Sequence, residues 1–161
     1  MITISGLDGL RASAGTHLGI SRWHEVTQEA IDAFARTTGD PVRIHLDLDA
    51  ARDAGFPDTI AHGLYTLSLG PGMFVQLVEV VDVAVALNYG FDKVRWLTPV
   101  VRGQRVRMSA EIVDANDVDG GVRLRVRQTF LVEGSDSPVC VADALHAWYD
   151  VPPTQSQLQE A

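Results

Sequence analysis

Apolar and polar positions change period along the chain, and the change divides it into a helical first half and a stranded second half. In "WHEVTQEAIDAFARTTGD", Ala30, Ile31, Phe34 and Ala35 share one helical face, with Asp32, Arg36 and Thr37 opposite. Thr27 is placed to cap this helix, Glu29 sits at its positive end, and Gly39 offers a left-handed stop. A short helix is predicted over 50–54, capped by Asp49 and ended by Gly55 before Pro57. The next segment, "DTIAHGLYTLSLGPG", carries Ile60, Leu64, Leu67 and Leu69 among small or neutral residues. It predicts a buried helix starting at Asp58 or Thr59 and stopping at Gly70-Pro71-Gly72.

From about Val83 the period becomes two. Val106, Met108, Ala110 and Ile112 alternate with Arg105, Arg107, Ser109 and Glu111, and Val122, Leu124, Val126 and Phe130 alternate with Arg123, Arg125, Arg127 and Thr129. "DANDVDGG" between them has hairpin chemistry, and a last strand is predicted near 139–148, before a polar tail over 152–161. Helices followed by long antiparallel strands make an α+β domain, 1–151, in which a curved sheet wraps the apolar helix and turns its Arg-bearing face outward.

Composition narrows the function classes. A chain of 161 residues with 46% hydrophobic and 21% charged residues fits one globular core. A net charge of -8 and the lack of any Lys/Arg block argue against a nucleic-acid partner. The single cysteine, Cys140, precludes an intrachain disulfide and gives no zinc-type pair. No leader-like pattern opens "MITISGLDGLRASAG", and the most apolar span is interrupted by Gln76, Glu79 and Asp82, so a cytoplasmic protein without membrane insertion is expected.

The candidate chemistry lies in "GDPVRIHLD", a stretch without clear period. Asp40 and His45, five positions apart, can curl onto one water molecule, an acid and a largely neutral imidazole at pH 7. In "TIAHGLY", Gly63 has no Cβ to keep a ligand from its backbone N–H, an arrangement suited to an oxyanion. Tight packing beneath the sheet explains the same glycine equally well. His62 reads as a satisfied core or helix-end histidine, Asp47 and Asp49 as structural, and Lys93, Arg95 and Arg102 as solvated strand charges. No cluster of residues argues for a metal.

"FARTTGDPVRIHLD", "FPDTIAHGLYTLSL" and "NYGFDKVRWLTPVVRGQRVR" together resemble the MaoC-like dehydratase family of hotdog-fold (R)-specific enoyl-CoA hydratases, over about 21–148. The resemblance implies a long central helix wrapped by an antiparallel sheet, a homodimer with joined sheets, and an acyl-CoA thioester substrate with no separate cofactor. It further implies that Asp40 and His45 activate water and that the N–H of Gly63 polarises the thioester carbonyl, and it makes Lys93, Arg95 and Arg102 candidates for contacts to the CoA phosphates. The sequence departs from the family pattern in having Val42-Arg43 where Asn-Pro is usual. Pro71 replaces a frequent helix serine, with Ser68 one turn earlier. A hotdog thioesterase and a non-catalytic acyl-thioester-binding protein are the alternative readings.

Overall fold

The computed structural model describes residues 1–160. The chain runs β1 (Ile2–Ser5), α1 (Gly6–Ala12), β2 (His17–Ile20), β3 (His24–Glu25), α2 (Gln28–Thr38), α3 (Arg43–Leu46), α4 (Leu48–Asp53), α5 (Gly63–Ser68) and α6 (Gly70–Phe74). It continues through β4 (Val78–Val81), β5 (Val85–Trp96), β6 (Arg105–Val118), β7 (Gly121–Val132), β8 (Pro138–Tyr149) and α7 (Gln155–Glu160). The main sheet has the order β2-β6-β7-β8-β5, with the short β3 also on β6, and all its pairings are antiparallel. β1 and β4 form a separate parallel pair. The α+β hotdog arrangement is present: a curved antiparallel sheet holding helices in its concave face.

The period-two segments explain the sheet directly. Val106, Met108, Ile112, Val122, Leu124, Val126 and Phe130 are all buried, and register stacks them in rows, Met108 beside Phe130 and Phe130 beside Cys140, Ile112 beside Val126 and Val126 beside Ala144. Tyr65 and Leu67 of α5, Met73 and Phe74 of α6, and Leu10 of α1 fill the concavity. On the other face, the arginines neutralise one another's neighbours instead of standing free: Arg125 pairs with Asp92 and Asp114, Arg127 with Asp143, and Arg105 with Glu133. The more exposed of these pairs add little stability, while Asp143 is buried and its charge is held by Arg127; together they keep the strand charges compatible with close register.

Four helical expectations are corrected. The central helix begins at Gly63, not at Asp58 or Thr59, because residues 59–61 are held extended: Ile60 bridges Val101, and the Ala61 N–H donates to Val100 O at 2.8 Å. Nor is it one long helix stopped by Gly70-Pro71-Gly72. The backbone breaks at Leu69 and resumes as α6 with Pro71 in the first turn, where a proline costs no hydrogen bond. The short fourth helix starts earlier than predicted, and its cap is Asp47, not Asp49; the Asp47 carboxylate accepts the N–H groups of Asp49 and Ala50, each at 3.0 Å. The aperiodic stretch after Gly39 contains the helical turn α3. The first 25 residues, β1 to β3, went unread because their elements are too short to express a period. Among the described residues no helix is long and apolar enough to cross a membrane.

His146 sits inside this core, 6% exposed, its ring 5.0 Å from that of Phe74 and stacked on it. Burial pushes its pKa down to about 4, below the roughly 6.5 of an unfolded imidazole. A folded value below the unfolded one means the associated stability is complete above about pH 6.5 and is lost as pH falls toward 4, at most about 3 kcal/mol. His146→Gln should therefore flatten the fall in urea-denaturation midpoint over that interval relative to the unaltered protein. An identical slope would reject the assignment.

Candidate active site

Helix α2 closes on Gly39 in the left-handed region (φ +70°), where the N–H groups of Gly39 and Asp40 both donate to Ala35 O, at 2.9 and 3.1 Å. The chain leaves the helix at Asp40, Pro41 prevents continuation, and α3 turns His45 back inward. The ring is buried, and its Nδ1 lies 2.7 Å from Ile60 O. A carbonyl oxygen only accepts, so Nδ1 carries the hydrogen and the neutral ring keeps its lone pair on Nε2. Burial, and secondarily the neighbouring His62, lower the His45 pKa against the opposing effects of that hydrogen bond and of Asp40.

Gln28, at the start of α2, fixes the same loop from below. Its amide donates to His45 O (2.9 Å) and to Asp32 (2.7 Å) and accepts from the Thr59 hydroxyl (2.6 Å). Neither Gln28 nor Thr59 was recognised from the sequence, since a helix-start glutamine and a threonine near a turn carry no pattern of their own.

His62 is buried at the N-cap of α5, as a core or helix-end histidine should be, and it also lies between Phe34 (5.1 Å between ring centroids) and His45 (3.8 Å, stacked). Its Nε2–H donates to the backbone oxygen of Asp40 at 3.3 Å, with the Asp40 carboxylate at 3.9 Å, while Nδ1 is buried without a hydrogen-bond partner among the described residues. One ligating atom from each of Asp40, His45 and His62 lies within 4.8 Å of the others, so the fold makes a cluster that the spacing of 17 residues between the histidines concealed. This trio is the group that could face a metal ion. The stacked rings hold their lone pairs in nearly parallel planes, however, a poor match to ligands converging on one ion and a good match to holding water and moving a proton.

Gly63, the first residue of α5, has an N–H with no carbonyl one turn back to bond. Both readings of this glycine meet here. An ideal Cβ on Gly63 would lie 2.9 Å from the indole of Trp96, whose Nε1–H donates to Gly63 O at 2.7 Å, so tight packing is real. The same residue lines a cavity of about 200 Å³ with His45, Thr66, Trp96 and Thr98. Asp40 is outside that lining, across His62, with its carboxylate 47% exposed. Ser68, one turn before Pro71, donates to Tyr65 O (2.7 Å) within its own helix. Val42 is exposed, and Arg43 pairs with Asp47 at 2.5 Å, so the altered loop pair acts on the flank of α3. Of the candidate phosphate contacts, Arg102 is engaged by Asp58 (2.7 Å) and Arg95 by its neighbour's carbonyl.

The model of the MaoC-like domain matches residues 10–133. The 3-hydroxyacyl-thioester dehydratase Z of Mycobacterium tuberculosis is 42% identical over 146 residues, 90% of this chain and 97% of that protein. Among solved structures, the fold is shared with a monoamine oxidase regulatory protein from Archaeoglobus (TM-score 0.76, 23% identity, 95% of this chain and 100% of that one). It is also shared with the R-hydratase PhaJ1 of Pseudomonas aeruginosa (TM-score 0.70, 18% identity, 88% and 91%).

Gly63→Ala places a methyl group against the indole, which must swing outward. The expected result is at least a tenfold loss of turnover with only a small loss of melting temperature, because Trp96 is half exposed and free to move. Unchanged turnover, measured beside circular dichroism, would remove Gly63 from the site.

Proposed function

The chain belongs to the MaoC-like domain family, and from that premise we propose that it is a 3-hydroxyacyl-thioester dehydratase that adds water reversibly to a trans-2-enoyl-CoA, giving an (R)-3-hydroxyacyl-CoA. The observation that carries the reading is the convergence of Asp40, His45 and His62 within 4.8 Å, next to the cavity that His45 shares with Gly63. In the hydration direction, His45 Nε2 takes one proton of a water molecule whose other hydrogen points to the Asp40 carboxylate. The water oxygen bonds to C3, the double bond shifts toward the carbonyl, and the proton taken by His45 is passed to C2, which returns the ring to its neutral form and consumes one water per double bond.

Negative charge gathers on the thioester oxygen as C3 is attacked. A Gly63 N–H aimed at that oxygen is stronger in the transition state than in the ground state, an effect of about 3–4 kcal/mol for comparable donors. Acid–base action by the Asp40–His45 pair adds roughly 10²–10⁴ in rate. His62 holds the Asp40 backbone and covers one face of the His45 imidazole, which keeps that ring desolvated. No cofactor beyond the CoA of the substrate enters these steps. A cytoplasmic setting accompanies this reading, and the lone buried thiol of Cys140 is consistent with it.

Loss of enoyl absorbance with crotonyl-CoA and with longer enoyl-CoA esters tests the assignment. Asp40→Asn and His45→Ala should each lower kcat/KM by at least about a hundredfold with little change in folding. Because His45 titrates below the ordinary imidazole value, the acid limb of the kcat/KM profile should fall below pH 6.5. Free thiol released without 3-hydroxyacyl product would make the protein a thioesterase, and full activity in both variants would remove the dyad.

We also propose a homodimer. β5 is an edge strand of the main sheet and exposes Tyr89, Phe91 and Trp96, each more than 40% accessible, a row suited to a second copy rather than to water. Sedimentation should give twice the chain mass at micromolar concentration; a stable monomer would refute it.

A further inference from the structure

A second cavity, of about 350 Å³, lies between the α5–α6 pair and the sheet. Phe34, Leu64, Leu67 and Phe91 make apolar walls, and Phe34 ties the cavity to the site, since its ring also packs on His62. An acyl chain leaving a thioester at Gly63 could follow α5 into it. The far wall is not apolar. Gln128 of β7 and His146 of β8 line it, 1% and 6% exposed, and the Gln128 Oε1 and His146 Nε2 are buried without hydrogen-bond partners among the described residues.

Two buried polar groups in a greasy cavity are conspicuous because packing does not need them. Gln128 faces Ala110 and Ala142 across its sheet neighbours, positions where a leucine would fill the space. Its amide instead reaches up to the helix break, 2.7 Å from where a Cβ on Gly70 would stand. His146 stands beside Asn88 of β5, itself on the cavity wall. Polar atoms buried in this way select for a ligand that completes them, and they discriminate far more sharply between analogues with and without a hydroxyl than an apolar wall does.

Resting on the proposed thioester chemistry, we infer that this cavity receives acyl chains carrying a neutral hydroxyl group remote from the reacting carbons, with Gln128 and His146 as its hydrogen-bonding partners. A hydroxyl both donates and accepts, so it satisfies the Gln128 amide in either orientation and His146 in either tautomer. A carboxylate is disfavoured. Burial pushes His146 down to about 4, so the ring is uncharged at neutral pH and offers no cation. Gln128 and His146 act as specificity-determining residues and take no part in the proton transfers.

The test compares plain and ω-hydroxylated trans-2-enoyl-CoA esters of six to twelve carbons, with the saturated ω-hydroxyacyl- and acyl-CoA pairs measured for binding by calorimetry. At the chain length that reaches the wall, the hydroxylated member should be favoured at least tenfold in both kcat/KM and Kd. Gln128→Leu and His146→Phe should each erode that preference and raise affinity for the plain ester of the same length, with folding checked by circular dichroism. Equal affinities at every length, or a preference surviving both substitutions, would overturn the inference. Calorimetry separates this outcome from failure of the proposed reaction: no enoyl ester hydrated would sink the hydratase reading, while the binding pairs would still decide what the cavity takes.

Discussion

The hydrogen bond from His45 Nδ1 to Ile60 O, 2.7 Å long, is the constraint on which the rest of the site depends. It joins two segments that arrive from different directions: the loop leaving α2 and the extended stretch entering α5. Because Ile60 is also bridged to Val101 and Ala61 bonded to Val100, the imidazole is anchored, through one carbonyl, to the strand-like segment at the sheet margin. The bond selects the tautomer as well as the position. Freed of it, the ring would present either nitrogen, and the acceptor needed at Nε2 would be only one of two populations.

That anchor explains why His62 ends up where it does. Once Ile60 is held, the two following residues carry the chain around into α5, and His62 is delivered onto the face of His45. A second imidazole stacked on its face disfavours a charge on His45. The effect has the same sign as burial, and together they keep His45 in the form that accepts a proton. Gln28 closes the arrangement by gripping the His45 carbonyl and the Thr59 hydroxyl with a single side chain, which ties the start of α2 to both segments.

The legible and illegible parts of the sequence divide along physical lines. Helix α2 and strands β6 to β8 could be read because each is long enough for burial to impose a period, and because Thr27 and Gly39 use their side-chain and backbone chemistry locally. Asp40, His45 and Gly63 stood out as candidates because their residue types and spacing match a motif, and the structure puts Asp40 beside His45 and Gly63 on the cavity that His45 lines. The helix boundaries around Gly63 could not be read, since residues 59–61 look helical by composition and are held extended by partners some 40 positions away. The core and helix-end position of His62 was legible, but its stacking on His45 was not, because that contact depends on the same extended segment. The polar cavity wall was equally hidden, because Gln128 occupies an inward register position where strand alternation predicts an apolar side chain.

Trp96 links the two scales of this structure. It sits at the end of β5, the edge strand, half exposed, and yet its indole N–H holds the carbonyl of Gly63 while its ring occupies the space a side chain there would need. The same peptide group's neighbour, the Gly63 N–H, is the proposed oxyanion donor, so the orientation of that donor depends on a side chain at the rim of the sheet. An exposed tryptophan loses that precision when water competes for its indole N–H and its ring is free to turn, and regains it when an apolar surface covers the strand. The unpaired edge and the carbonyl-polarising group are thus one mechanical unit. In the proposed dimer, a second copy lying on β5 would steady Trp96 and, through it, the Gly63 peptide, without contributing a residue of its own.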